Sequence, residues 1–116
     1  MYKSGRSDEL LVCDMREAVE KILRYTAGMD EPGFMACEIT VDAVIRNVEI
    51  IGEAATKLSD GFVIKHADIP FRQMAAMRNR LIHGYFGVSI PILWRVVRDD
   101  IPLLQNDLSK IQMDTN

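Results

Sequence analysis

Apolar residues in this chain recur at steps of three and four, and nowhere do they alternate long enough to support a strand. Leu11, Met15, Ala18, Ile22 and Tyr25 form one such stripe, and Val41, Val44, Val48, Ile51, Ala55 and Leu58 form a second, widened by Ile45. A third runs through Phe71, Met74, Ala75, Arg78, Leu81 and Ile82, and a fourth through Leu93, Val97, Leu104, Leu108 and Ile111. A period near 3.6 places each set on one face of an α-helix. The chain is therefore expected to be all-α, with four long helices and short connections, which favours an up-and-down bundle of four to five helices. With 116 residues, 48% of them hydrophobic, it suits a single domain spanning 1–116, with residues 1–7 a loose N-terminal extension.

The ends of these helices are marked. Ser7 is a candidate N-cap, followed by Asp8 and Glu9 where the helix dipole favours acids, and Gly28 is a candidate stop. Asp30–Cys37, containing Pro32 and Gly33, reads as irregular. Thr40 is the expected N-cap of the second long helix, and Ser59-Asp60-Gly61 its close. Gly52 either admits a close neighbouring helix or is merely tolerated. Phe62–Asp68 reads as a helical turn or loop, and Pro70 suits the first turn of the third long helix, which runs to Gly84. Ser89 caps the last helix, which Pro102 should kink or split. Ile50, Met77 and Trp94 fall outside the stripes. They point to a further buried surface in a dimer, or, for Trp94, to packing inside the monomer.

Several classes of protein are disfavoured. No apolar run approaches the ~18 residues of a membrane span, and the N-terminus lacks a signal-peptide core, so a cytoplasmic protein is expected. Cys13 and Cys37 are expected to be free thiols, and with only His66 and His83 available a metal site is not expected. The formal net charge of −3 argues at first against a nucleic-acid binder. Its distribution argues the other way. Residues 69–98 hold five arginines (Arg72, Arg78, Arg80, Arg95 and Arg98) and no acid, a charge of +5; the remainder holds 9 Lys+Arg and all 17 acids, a charge of −8. An acid-free basic segment is what a phosphate-bearing ligand requires, although the acids could also have fallen elsewhere by chance.

Inside that segment lies Met77-Arg78-Asn79-Arg80-Leu81-Ile82-His83-Gly84-Tyr85. On a helix Asn79 and His83 are four apart and so neighbours, and the long Arg78 side chain reaches the same cleft. Such a set can cleave RNA without metal. Histidine, with an ordinary pKa of ~6.5, takes the proton of a ribose 2′-hydroxyl. Arginine braces the charge growing on the phosphate, and Asn79 holds the ring or the phosphate. The products would be a 2′,3′-cyclic phosphate and a 5′-hydroxyl, and in a symmetric dimer the second chain's His83 could act as the acid. The bland readings are also open: His83 as a helix C-cap, Arg78 in a salt bridge to Glu49 or Glu53, and Tyr85 as a packing ring.

Arg78, His83 and Tyr85 stand at the spacing RxxxxHxY and resemble the motif of the HepT-like toxins of the HEPN superfamily. The segments Asp42–Ala55, Lys21–Asp30 and Leu81–Gly87 are also similar to that family, so the resemblance runs from about Asp8 to Ile111. Phe71 stands where relatives commonly carry Trp, and residues 1–6 have no clear counterpart. The resemblance implies a homodimeric helical bundle and a metal-independent endoribonuclease acting on tRNA or mRNA, with no cofactor. Arg78 and His83 would be the catalytic pair, with Asn79 supporting and Arg72, Arg80, Arg95 and Arg98 as candidate RNA contacts. It further implies the toxin of a type VII toxin–antitoxin pair, silenced when an MntA-like minimal nucleotidyltransferase adds AMP to Tyr85. A non-catalytic module that docks onto such a partner, or presents a nucleotide to it, is the alternative. A purely structural bundle is a third reading.

Overall fold

Ser7 sits in extended backbone and its Oγ accepts from the Leu10 N–H at 3.1 Å, which starts helix α1 (Asp8–Thr26) where the sequence places it. The computed structural model describes the backbone of residues 6–83 and 89–112, and the side chains of all of these but 80–83. Leu11, Met15, Ala18 and Ile22 are buried as expected, but the stripe ends differently. Tyr25 is exposed and Thr26 is buried, its hydroxyl donating to the Ile22 carbonyl at 2.8 Å. The buried face steps 15, 19, 22, 26, and the Thr hydroxyl is satisfied by its own helix, so it can go inside without an orphaned polar group.

Residues 30–37 are not irregular. Asp30 caps a short helix, α2 (Glu31–Ala36), its Oδ1 accepting from the Gly33 N–H at 2.9 Å. Pro32 falls in the first turn, where a missing N–H costs nothing, so a residue that looks like a breaker serves as a starter. Helix α3 (Glu38–Lys57) likewise begins earlier than expected. Cys37 occupies the cap position and Thr40 lies inside the first turn, its hydroxyl 3.1 Å from the Cys37 thiol. The Ser59–Gly61 segment both closes α3 and opens α4 (Asp60–Lys65), with Ser59 Oγ accepting from the Phe62 N–H. Pro70 stands just ahead of α5 (Phe71–His83), its carbonyl accepting from the Gln73 and Met74 N–H groups.

Ser89 caps α6 (Ile90–Arg95), a π-helical turn follows at Val96–Asp100, and α7 runs over Ile101–Ser109. Pro102 divides this last rod as expected. Its ring cannot continue the α-helical ladder, and the Ile101 N–H reaches back five residues to the Val96 carbonyl, which widens the turn. Among the described residues there is no strand.

Helix α3 is the central element, packed by α1 on one side and α5 on the other, while α7 packs on α1 and α6 on α2. The core runs through all of them, from Leu11 and Ile22 to Val48, Ile51, Leu93, Ile101 and Leu108. The four expected rods are thus present, with α2 and α4 added between them. Met77, expected on a further surface buried in a dimer, is instead 6% exposed within the monomer core, and Trp94, also 6% exposed, takes the second of its two readings, packing inside the monomer. Trp94 packs against Phe34 of α2, ring centroids 5.0 Å apart, a partner that spacing along the chain does not reveal. Ile50 is half-buried against the same core.

Candidate active site

Arg78 is presented by α5 at the place where that helix lies against α3. A methyl group at Gly52 of α3 would overlap Arg78 Cβ and come within 2.9 Å of its Cγ. The missing side chain of Gly52 therefore forms the notch that seats the Arg78 stem, the first of the two readings of that glycine. Beyond the notch, Arg78 Nη2 meets Glu53 Oε1 at 3.1 Å and Nη1 donates to Asn79 Oδ1 at 3.3 Å. Glu53 Oε2 is in turn 3.1 Å from Lys57 Nζ. Of the two acids weighed as partners for Arg78, Glu53 is the one that pairs. Its half-exposed setting means the pair contributes little stability, about 0–1 kcal/mol.

The guanidinium borders a cleft of about 340 Å³ between α1, α3 and α5, lined by Arg6, Asp14, Arg46, Glu49, Ile50, Glu53 and Lys57 among others. Arg6 forks onto Asp14 with Nε and Nη2 each at 2.9 Å, so this residue of the N-terminal segment is tied to α1. The cations beside Arg78 in this cleft, Arg6, Arg46 and Lys57, come from outside the acid-free segment. For Arg46 and Lys57 the signal in the sequence is the helical step from 46 through 49, 50, 53, 54 and 57, which puts both on one face of α3; Arg6 lies ahead of α1 and has no such signal. Arg72, Arg95 and Arg98 are exposed on α5, α6 and the π turn and do not line the cleft. Asn79 is exposed beside Arg78. His83 closes α5, and Arg80 lies in the same helix; the side chains of both are outside the described residues, as is the whole of Tyr85. Five positions separate Arg78 from His83 on α5, a rise of about 7.5 Å along the helix axis.

Residues 15–111 match the family described as Ribonuclease HepT-like. A protein of Thermococcus cleftensis, "Probable ribonuclease HepT", is 41% identical over 107 residues, covering 92% of this chain and 97% of its own. A Methanocaldococcus jannaschii "Gamma-glutamylcyclotransferase and putative RNase" is 42% identical over 102 residues; the match covers 86% of this chain and 46% of that protein. The chain belongs to the HepT-like ribonuclease family. Gly52, Glu53 and Arg78 lie within the matched residues, as do Arg46, Glu49, Ile50, Ala54 and Lys57 of the cleft, whereas Arg6, Leu11 and Asp14 on its other wall precede them. No solved structure gives a significant match to the chain.

Among the described residues no group of three or more His, Cys, Asp or Glu is placed to hold a metal ion. No described helix is long and apolar enough to cross a membrane. Cys13 and Cys37 are not bonded to each other, and the Thr40 hydroxyl holds the Cys37 thiol below the ordinary thiol range.

Proposed function

We propose that this HepT-like ribonuclease is a metal-independent endoribonuclease toxin of a type VII toxin–antitoxin pair, with Arg78 and His83 as its catalytic residues. The observation that carries the proposal is the placement of Arg78. Its guanidinium sits at the rim of the α1–α3–α5 cleft with its stem seated in the Gly52 notch, on the helix that ends at His83. In this reading neutral His83 removes the ribose 2′-proton, the 2′-oxygen attacks the adjacent phosphorus, and the 5′-oxygen departs with a proton from a second acid. Arg78 stabilises the charge on the non-bridging oxygens through its remaining N–H donors, and Asn79 supports Arg78. The products are a 2′,3′-cyclic phosphate end and a 5′-hydroxyl end.

The second acid would be His83 of another copy in a homodimer, which the family resemblance implies. The same resemblance supports control by an MntA-like nucleotidyltransferase that adds AMP to Tyr85. An added phosphate two residues from His83 would repel the RNA backbone. Arg72, Arg80, Arg95 and Arg98 are the proposed further contacts for RNA.

The test is cleavage of bulk tRNA and of a mixed mRNA pool by purified protein in EDTA. Cleavage leaving cyclic phosphate ends is expected from the parent. Arg78→Ala and His83→Ala should each lower kcat by at least about a hundredfold, the scale of losing a general base or a charge-stabilising donor. Full activity in either variant overturns the assignment. A parent that cleaves neither pool yet binds the nucleotidyltransferase stably would point to the non-catalytic module instead.

A further inference from the structure

The arrangement around Arg78 singles out a residue that the RxxxxHxY motif does not contain. Arginine has five N–H donors in a planar fork, but the fork is useful to a phosphate only if it is aimed before the phosphate arrives. A long side chain on a helix surface is not aimed by its backbone alone. Here it is held at both ends. The stem fits the notch at Gly52, and the tip meets Glu53 Oε1 through Nη2 at 3.1 Å. Notch and anchor are consecutive residues of α3, so the approach of α5 seats both at once. Glu53 is itself steadied, because its second oxygen pairs with Lys57 one turn later, also at 3.1 Å. The Asn79 contact occupies one donor on Nη1, while the Glu53 contact is an ion pair at Nη2. At least one N–H on each terminal nitrogen, and Nε–H, stay available for two phosphate oxygens. Glu49 lines the same cleft but makes no ion pair with Arg78, so proximity to the cleft is not what selects Glu53.

We propose that Glu53 is a positioning residue for the ribonuclease reaction, fixing the Arg78 fork so that its free edge faces the scissile phosphate. This rests on Arg78 being catalytic. A negative charge beside an RNA-binding arginine weakens ground-state attraction for RNA, so Glu53 earns its place only through the transition state. The two effects separate in the kinetics.

The experiment is steady-state cleavage of bulk tRNA by the full chain carrying Glu53→Gln, Glu53→Asp, Arg78→Ala or Glu20→Gln, with thermal melts of each. Glu20 pairs with Arg24 at 3.0 Å on α1 and serves as a control for loss of an exposed ion pair elsewhere. Glu53→Gln should lower kcat by about tenfold or more, with KM unchanged or lower. Glu53→Asp should recover part of kcat, and Glu20→Gln should match the parent. A parental or raised kcat in Glu53→Gln overturns the proposal. So does a defect confined to KM, or a fall in kcat that tracks a fall in melting temperature and is not relieved by Asp. If Glu53→Gln melts below the assay temperature, Glu53→Asp decides: a kcat equal to that of the parent overturns the proposal, and a reduced kcat at parental KM supports it. Activity retained by Arg78→Ala refutes the catalytic assignment itself, whereas an inactive Arg78→Ala beside a fully active Glu53→Gln refutes only the role of Glu53.

Discussion

At the scale of single residues, short polar contacts decide how the helices are fastened. Asp8 accepts from the Ser59 N–H at 2.9 Å and from the Ser59 hydroxyl at 2.6 Å, so the first turn of α1 holds the junction of α3 and α4 across fifty-one positions. Arg16 does the same for the last helix, its Nη2 donating to the Leu108 and Ile111 carbonyls at 2.6 and 2.7 Å. A cation there also meets the negative end of the α7 dipole. Cys37 offers a test of local electrostatics. Because the Thr40 hydroxyl favours its thiolate, the thiol loses its proton at lower pH than an ordinary one. The pH midpoint for alkylation of Cys37 by iodoacetamide, followed by peptide mass, should rise in Thr40→Val.

At the scale of elements, the α3–α5 crossing joins packing to chemistry. Gly52→Ala gains about 1 kcal/mol of helix propensity, but the added methyl overlaps Arg78 Cβ, which is fixed to the α5 backbone, so α3 and α5 must part and the overpacking cost of about 3 kcal/mol or more exceeds that gain. A urea melt should therefore show a lowered midpoint. Relief of the overlap also moves Arg78, and if Arg78 acts as proposed, a shift of an ångström costs on the order of a hundredfold. Gly52→Ala is therefore expected to lose both stability and most tRNA cleavage. A variant that keeps full activity would mean that the notch is not needed. The last rod teaches a related lesson. Its π turn directly precedes the helix carrying Pro102, so a single ring changes the hydrogen-bond register of the preceding turn.

At the scale of the whole molecule, the short helix α2 ties the rods into one core. Phe34 of α2 is fully buried and meets Trp94 of α6, joining the N-terminal half to the last rod. Phe34→Ala should cost about 3–5 kcal/mol, the usual range for emptying such a site. The check is a lowered urea midpoint with an unchanged slope, which reads as lost stability and not as a changed unfolded state. That cost is a large part of the total stability of a domain this size.

The sequence by itself determined the helical class, the faces of α1 and α3, the caps at Ser7 and Ser89, the break at Pro102 and the interest of Arg78. All of these are local: they follow from the 3.6-residue period, from side chains that cap their own backbone, and from a ring that lacks an N–H. Tertiary structure decided the rest. That the helix Glu31–Ala36 buries Phe34 against Trp94 depended on where α6 lies. That Trp94 and Met77 go inside, that Gly52 is a notch and that Glu53 rather than Glu49 meets Arg78 all depend on how helices cross. A helical period says which residues share a face. The partner facing each face is set by long-range packing, which no spacing along the chain encodes.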